Sequence, residues 1–343
     1  MNETNRSQKN KSKKNKRVLK IVLSVLLLGI VGIAAYLGKV YSDVNSAADS
    51  IYNSVSTDNL RDSSVDLGQQ NPISILLLGT DTGSLGRTEQ GRTDSMILAT
   101  INPNTEKTTL VSIPRDTYAE IVGYSDNYPY YDKINSAYAY GGTEMAINTV
   151  QNLLGIPVDY YVTVNMSGVQ TIVDKIGGID VVSPMSFAFS DWNQDGSSTS
   201  YSFAEGPIHL DGANALAFSR MRHEDPQGDT GRQGRQRLVI EAILKKLISA
   251  KTVFNYQNLL DALSTNVETN FQMADYKKLQ SNNYVAALKN VQQEQLGGTN
   301  DTLDGIWYNF VDDSEIARVQ TILESELEIN QPTNQGSSTV ESK

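Results

Sequence analysis

Ile73-Ser-Ile-Leu-Leu-Leu-Gly79 and Ser95-Met-Ile-Leu-Ala-Thr-Ile101 decide the fold class. Each is a short apolar run, the mark of a strand buried on both faces. Thr108-Thr-Leu-Val-Ser-Ile113 is a third strand. Asn102-Pro-Asn-Thr-Glu-Lys107 joins it to the second with turn chemistry, which predicts a hairpin. Further on, strands alternate with helices. Thr143 can cap a helix running to Leu154 and closed by Gly155. Val158–Val164 reads as a strand. Val169, Ile172, Val173 and Ile176 form one stripe of a helix that Gly177-Gly178 ends, and Ile179–Val182 reads as the next strand. This alternation predicts an α/β protein, a three-layer α/β/α sandwich with a mixed central sheet.

The remainder is less regular. Asp211 is expected to cap a short helix through Leu216, followed by a strand from Phe218 to Arg222. Arg232–Ser249 is expected to form a long helix with Ile240, Ile243, Leu244, Leu247 and Ile248 facing a core. Residues 251–329 read as a mainly helical extension, and 330–343, rich in Ser, Gln and Thr, as a disordered tail.

Charge and hydropathy divide the chain near its start. Residues 1–20 carry eight Lys or Arg against one acid, although the whole chain of 343 residues has a net charge of −10. Ile21–Leu37 contains no charge. As a helix it spans roughly 26 Å at about 1.5 Å per residue, enough for a bilayer when Lys20 and Lys39 snorkel at its ends. The expected organisation is a cytoplasmic basic tail (1–20), a transmembrane helix (21–38), an extracellular polar stalk (39–72) and a domain beginning at residue 73. By the positive-inside rule that domain faces outward from the cell membrane, on a single-pass anchor with a cytoplasmic N-terminus. The alternative is a cleaved signal peptide, but the apolar run is long for one and no cleavage motif follows closely. Cysteine is absent, which excludes disulfides, thiolate metal sites and cysteine nucleophiles. Two histidines are too few for a multi-histidine metal site. An acidic domain is a poor nucleic-acid binder, so no nucleic-acid partner is expected.

The chemistry is concentrated in four places. Phe218–Arg237 holds five arginines: Arg220, Arg222, Arg232, Arg235 and Arg237. On a strand, Arg220 and Arg222 would share a face; on a helix, Arg232, Arg235 and Gln236 would. A guanidinium fork beside a helix N-terminus suits phosphate oxygens. Gly79-Thr-Asp81 and Gly91-Arg-Thr-Asp-Ser95 place Asp81 and Asp94 at strand ends, where α/β sheets bind ligands. Two carboxylates plus diphosphate oxygens suit Mg²⁺ (or Mn²⁺), and Arg92 adds a phosphate clamp. Ser112-Ile-Pro-Arg-Asp-Thr117 supplies Arg115, with Asp116 to orient it. Lys133-Ile-Asn-Ser-Ala-Tyr138 offers Lys133 as a phosphate ligand or a plain surface lysine. Tyr124, Tyr128, Tyr130 and Tyr131 suit a lid, a glycan-stacking surface or simple packing.

These motifs, with Gly177-Gly-Ile-Asp-Val181 and Gly228-Asp-Thr-Gly-Arg-Gln-Gly-Arg-Gln-Arg237, occur in an order that resembles the LytR–CpsA–Psr family over about residues 73–250. The resemblance implies a domain that holds a polyprenyl diphosphate, its tail in an apolar tunnel between sheet and helices. It implies Mg²⁺ on Asp81 and Asp94, and diphosphate on Arg92, Arg115, Arg220, Arg222, Arg232 and Gln236. Asp229 matches the family's acidic position and is the expected general base. The implied activity is transfer of a polyprenyl-diphosphate-linked glycopolymer (teichoic acid, capsule or related polysaccharide) to peptidoglycan. The alternatives are hydrolysis of the diphosphate, or a non-catalytic lipid-binding or regulatory envelope protein. The segment after residue 250 carries no expected chemistry.

Overall fold

The computed structural model describes residues 39, 42–58, 60–61, 65–81, 90–192, 198–247, 263–264 and 266–329. The expected basic tail, transmembrane segment and C-terminal tail lie outside them. Among the described residues no helix is long and apolar enough to cross a membrane.

A six-stranded mixed sheet organises the chain. Its strands are β1 (Ile73–Thr80), β2 (Thr93–Asn102), β3 (Lys107–Ser112), β6 (Tyr160–Asn165), β11 (Val267–Thr269) and β12 (Val291–Gln295). The order is β11-β6-β1-β2-β3-β12. β1, β2 and β3 run antiparallel in sequence, while β6 lies parallel to β1 and β12 parallel to β3. Alternate residues of the apolar strands serve different faces, as the two-residue period requires. Leu76, Leu78, Met96, Leu98, Val111 and Tyr161 pack with α1 (Ser136–Leu154) and with Val319, Leu323 and Leu327 of α7 (Asp313–Leu327). Ile73, Ile75, Ile97, Ala99, Ile101 and Leu110 pack on the other face with Phe271, Tyr284 and Ala287, and with Ile240 of α4 (Asp229–Leu247).

α1 bends where Gly142 adopts φ +67°, a conformation that penalises a side chain. Thr143 therefore opens its second segment. A second core joins α2 (Met166–Lys175), α3 (Gly212–Arg220) and α4 to β7 (Ile179–Ser183), β8 (Phe187–Trp192), β9 (Ser198–Phe203) and β10 (Gly206–Leu210). β7 pairs with β10, and β8 with β9. Two small pairings complete the strands: β4 (Tyr118–Glu120) with β5 (Tyr131–Lys133), and β13 (Thr299–Leu303) with β14 (Ile306–Phe310). Two short helices, α5 (Met273–Ser281) and α6 (Tyr284–Ala287), precede β12.

Two expectations need correction. Phe218–Arg222 is not a strand. The helix capped by Asp211 continues to Arg220, with Ala215, Phe218 and Ser219 buried at helical spacing, and Met221 (ψ 135°) ends it. Arg220 and Arg222 therefore share no strand face. The segment after residue 250 carries helices as expected, but it also supplies both outer strands of the central sheet and the β13–β14 hairpin. The described residues among 48–72 are not a free stalk. Ile51 and Leu67 are buried, and Arg61 forms a two-pronged ion pair with Asp159 at 2.6 and 2.8 Å.

Candidate phosphate-binding site

Strand pairing brings the ends of β1, β3, β6 and β12 to one sheet edge, together with the start of β2. There the β1–β2 register shifts between Gly79 and Thr80, leaving Asp94 as the extra residue between partners Thr93 and Ser95. The chain after β1 folds back on the chain before β2. The Arg92 amide donates to Asp81 Oδ1 at 2.9 Å, and the Asp81 amide to the Arg92 carbonyl at 3.3 Å. Asp81, just after β1, and Asp94, in β2, thus sit at the same edge. Two hard carboxylates are a donor set that suits Mg²⁺ once phosphate oxygens join them. Among the described residues no cluster of three or more His, Cys, Asp or Glu forms a metal cage by itself.

The turn after β3 aims Arg115 back at β2, where its guanidinium pairs with Asp94. Asp116 lies 3.8 Å from Arg115 Nε and holds Lys133 Nζ at 2.8 Å. Lys133 is therefore the counter-ion of Asp116. Burial pulls the Arg115 pKa down, but Asp94 and Asp116 outweigh it and the net shift is upward.

The third contribution comes from the start of α4. Asp229 is its first residue, so Arg232 and Gln233 fall three and four positions on, over the same face. Asp229 Oδ1 lies 2.6 Å from Arg232 and 3.8 Å from Arg222 Nε, while Oδ2 accepts from Gln233 at 2.7 Å. Arg232 is 7% exposed. Its pKa is lowered, first by burial and further by the positive neighbours Arg115 and Arg222; Asp229 and Asp94 oppose this. Arg115, Arg222, Arg232, Asp94 and Asp229 therefore form one electrostatic cluster drawn from three separate stretches of sequence. Arg115 Nε and Arg232 Nε are buried and have no hydrogen-bond partner among the described residues. Buried donors of this kind call for an acceptor, and anionic oxygens between the two arginines would supply it.

Other expected residues stand differently. Arg220 closes α3, Gln236 is half-buried one turn beyond Arg232, and Arg92 is exposed at the Asp81 turn. Arg235 shares the expected helix face but is fully buried. It pairs with Asp225 and donates to the carbonyls of Phe218 (3.0 Å) and Met221. It fixes the 221–228 loop, and Gly231 lets α4 close on that loop, because a Cβ there would overlap the Asp225 carboxylate. Arg237 ties α4 to the sheet, donating to Ser112 Oγ at 2.6 Å and Gln293 Oε1 at 3.2 Å. Three of the four expected tyrosines stack on rings, Tyr124 on Tyr130 with centroids 4.1 Å apart and Tyr131 on Tyr118 at 5.3 Å, while Tyr128 is exposed.

Two features escaped the sequence reading. Gln233 was visible in the Asp229 spacing only if the helix is started at Asp229. The other is a cleft of about 510 Å³, lined by Asp116, Arg222, Asp229 and Gln233 on one side and by Gln295–Gly298, Asn300, Trp307 and Asn309 on the other.

Comparison with known proteins shows the family. A protein of Enterococcus faecalis (strain ATCC 700802 / V583) named polyisoprenyl-teichoic acid–peptidoglycan teichoic acid transferase TagU is 45% identical over 306 residues, covering 89% of this chain and 95% of that protein. A solved Streptococcus agalactiae structure superposes with a TM-score of 0.69 at 37% identity, covering 79% of this chain and 93% of that one. TagT bound to LIIa-WTA superposes with a TM-score of 0.63 at 28% identity, covering 80% and 100%. The LytR_cpsA_psr family model matches residues 38–325, well beyond the span that the motifs alone suggested, and the chain belongs to the LytR–CpsA–Psr family.

Proposed function

We propose that this protein transfers a polyprenyl-diphosphate-linked glycopolymer to peptidoglycan, releasing polyprenyl phosphate. The observation that carries the reading is the pair of buried Nε donors of Arg115 and Arg232, left without a hydrogen-bond partner among the described residues beside Asp94 and Asp229. The names of the similar teichoic acid transferases support it and make teichoic acid the first polymer to test.

In the proposed reaction an acceptor hydroxyl, the C6 hydroxyl of a muramic acid, attacks the phosphorus nearer the glycopolymer. A new P–O bond forms, the bond to the bridging oxygen breaks, and polyprenyl phosphate leaves with that oxygen. Arg115, Arg222 and Arg232 neutralise the charge that builds on the diphosphate; Arg92, Arg220, Gln236 and Lys133 are the remaining candidates for holding it. Such chemistry depends on positioning and charge neutralisation more than on covalent help. Asp229, on the cleft wall, accepts the hydroxyl proton. Asp81 and Asp94 would hold Mg²⁺, which would add positive charge against the diphosphate oxygens.

The lipid tail fits the sheet face against α4. Central strands covered by helices should be buried on both sides, yet Leu77, Val162 and Val164 on that face are only partly covered. Ile240 and Ile243 of α4, also partly covered, stand opposite. Anchored through residues 21–38 with its domain outside the cell membrane, the protein would meet its lipid-linked donor at the membrane surface. In the deciding experiment, purified protein receives the lipid-linked donor with and without a peptidoglycan oligomer. Phosphodiester product should require the oligomer and disappear in Arg222→Ala. Donor cleavage independent of the oligomer would favour hydrolysis instead, and full turnover in a folded Arg222→Ala protein would overturn the clamp.

A further inference from the structure

The cleft beside Asp229 has two unlike walls. One carries the ionic groups of the phosphate site, and the other is built by the segment after β12, to which the motifs give no role. That wall is a fixed part of the site. The Asn309 amide donates to the Asp116 carbonyl at 2.8 Å, and Asn309 Nδ2 to Thr117 Oγ1 at 3.3 Å. The Leu296 amide donates to the Ser112 carbonyl at 2.9 Å.

Its chemistry differs from that of a phosphate site or a lipid groove. Asn300 and Asn309 are directly paired across the β13–β14 hairpin, and Thr302 and Trp307 are the next pair on the same face. Asn300, Asn309, Gln295 and Trp307 all line the cleft, and the wall between Gln295 and Asn300 includes Gly297 and Gly298. Trp307 is 50% exposed, unusual for the largest amphipathic side chain unless it serves a surface role. An indole face flanked by uncharged carboxamides matches a sugar ring: the rings offer an apolar C–H face, the hydroxyls donors and acceptors.

We infer that the β13–β14 wall, with Trp307 as stacking platform and Asn300 as a hydrogen-bonding partner, is the acceptor subsite. It would seat the uncharged glycan backbone of peptidoglycan and present one sugar hydroxyl to Asp229. The inference rests on the transferase reading above. The donor's own polymer is the other glycan near the diphosphate. The acceptor is favoured because the wall lacks cationic side chains suited to a phosphate-rich chain, and because Asp229, the proposed proton acceptor, lies across the same cleft.

The test uses the full-length protein in detergent, a lipid-linked donor, and an undecorated oligosaccharide of alternating N-acetylglucosamine and N-acetylmuramic acid. Trp307→Ala and Asn300→Ala should raise the acceptor KM, by roughly tenfold for the tryptophan, with the donor KM unchanged and partial rescue in Trp307→Phe. In Trp192→Phe, which leaves Trp307 as the sole tryptophan, the oligosaccharide should change the indole fluorescence saturably. An unchanged acceptor KM in a folded Trp307→Ala protein, or a rise in the donor KM alone, overturns the inference and leaves the transferase reading standing. A wild-type protein that makes no acceptor-dependent product overturns that reading instead.

Discussion

Asp229 Oδ1 stands 2.6 Å from Arg232 across the first turn of α4, while its other carboxylate oxygen takes a hydrogen bond from Gln233. One side chain therefore does two things. It holds a buried guanidinium in place, and it puts a carboxylate on the wall of the cleft.

Asp229→Asn separates these duties. The amide oxygen can still face Arg232 but takes no proton. Turnover is expected to fall at least about 100-fold, with a much smaller change in donor affinity. Steady-state kinetics alongside direct donor binding checks this. A variant that turns over normally would move the base to another carboxylate.

Arg235 and Arg222 lie in the same motif but serve different ends, one the fold and one the site. Arg235 is fully buried, and its partner Asp225 is 5% exposed. Arg235→Ala leaves that carboxylate unpaired and frees the Phe218 and Met221 carbonyls, so it should cost about 3–5 kcal/mol of stability. Arg222 has a side chain 38% exposed and, among the described residues, a single long ion-pair contact, to Asp229, so Arg222→Ala should unfold near the wild-type denaturant midpoint while losing donor affinity. Urea titrations of both variants decide the assignment. Equal midpoints would remove the distinction.

Spacing alone could not have sorted these arginines. The β1–β3 strands were legible because Ile73–Leu76, Leu78, Met96–Ala99 and Leu110–Val111 are buried cores of the sheet with little else to be. The Phe218–Arg222 stretch misled because an alternation two residues long also fits the end of a helix, and Met221 changes the backbone inside it. β12, Val291-Gln-Gln-Glu-Gln295, is an edge strand paired only with β3, and its polar side chains hide it from any hydrophobic pattern. The Asp94–Arg115–Asp229–Arg232 cluster was legible as residue types. Its convergence was not, because it depends on a bulge at Asp94, a turn after Ser112 and the seating of α4, none of which has a periodic signature.

The two carboxylates at the sheet edge predict a dependence on divalent cation. Chelator should abolish transfer by the purified protein, and Mg²⁺ should restore it. Asp81→Asn should raise the Mg²⁺ needed for half-maximal activity by at least about tenfold, since loss of a ligand exceeds the usual cost of disturbing a supporting group. Full activity after chelation, verified by metal analysis, would leave the two aspartates with a structural role only.

The acceptor wall carries its own pH dependence. Glu315, in the first turn of α7, accepts from the Gly297 amide at 2.8 Å and from Arg318 Nε at 2.8 Å, while Arg318 also donates to the Gln295 carbonyl at 3.0 Å. This network fastens the end of β12 to α7. The Arg318 hydrogen bond holds the Glu315 carboxyl below its ordinary 4.5, helped by the Gly297 amide and opposed by partial burial. A carboxyl with a lowered folded-state pKa contributes fully above its unfolded value and loses that contribution as pH falls through the lowered one. The network should therefore be intact near neutrality and weaken progressively below 4.5. Glu315→Gln, which cannot ionise, should be less stable than wild type near pH 7, and the gap should close as pH falls through the lowered folded-state value. Urea midpoints of the two proteins across that range check the sign. A gap that widened on acidification would mean that the Glu315 carboxyl is not stabilised in its charged form.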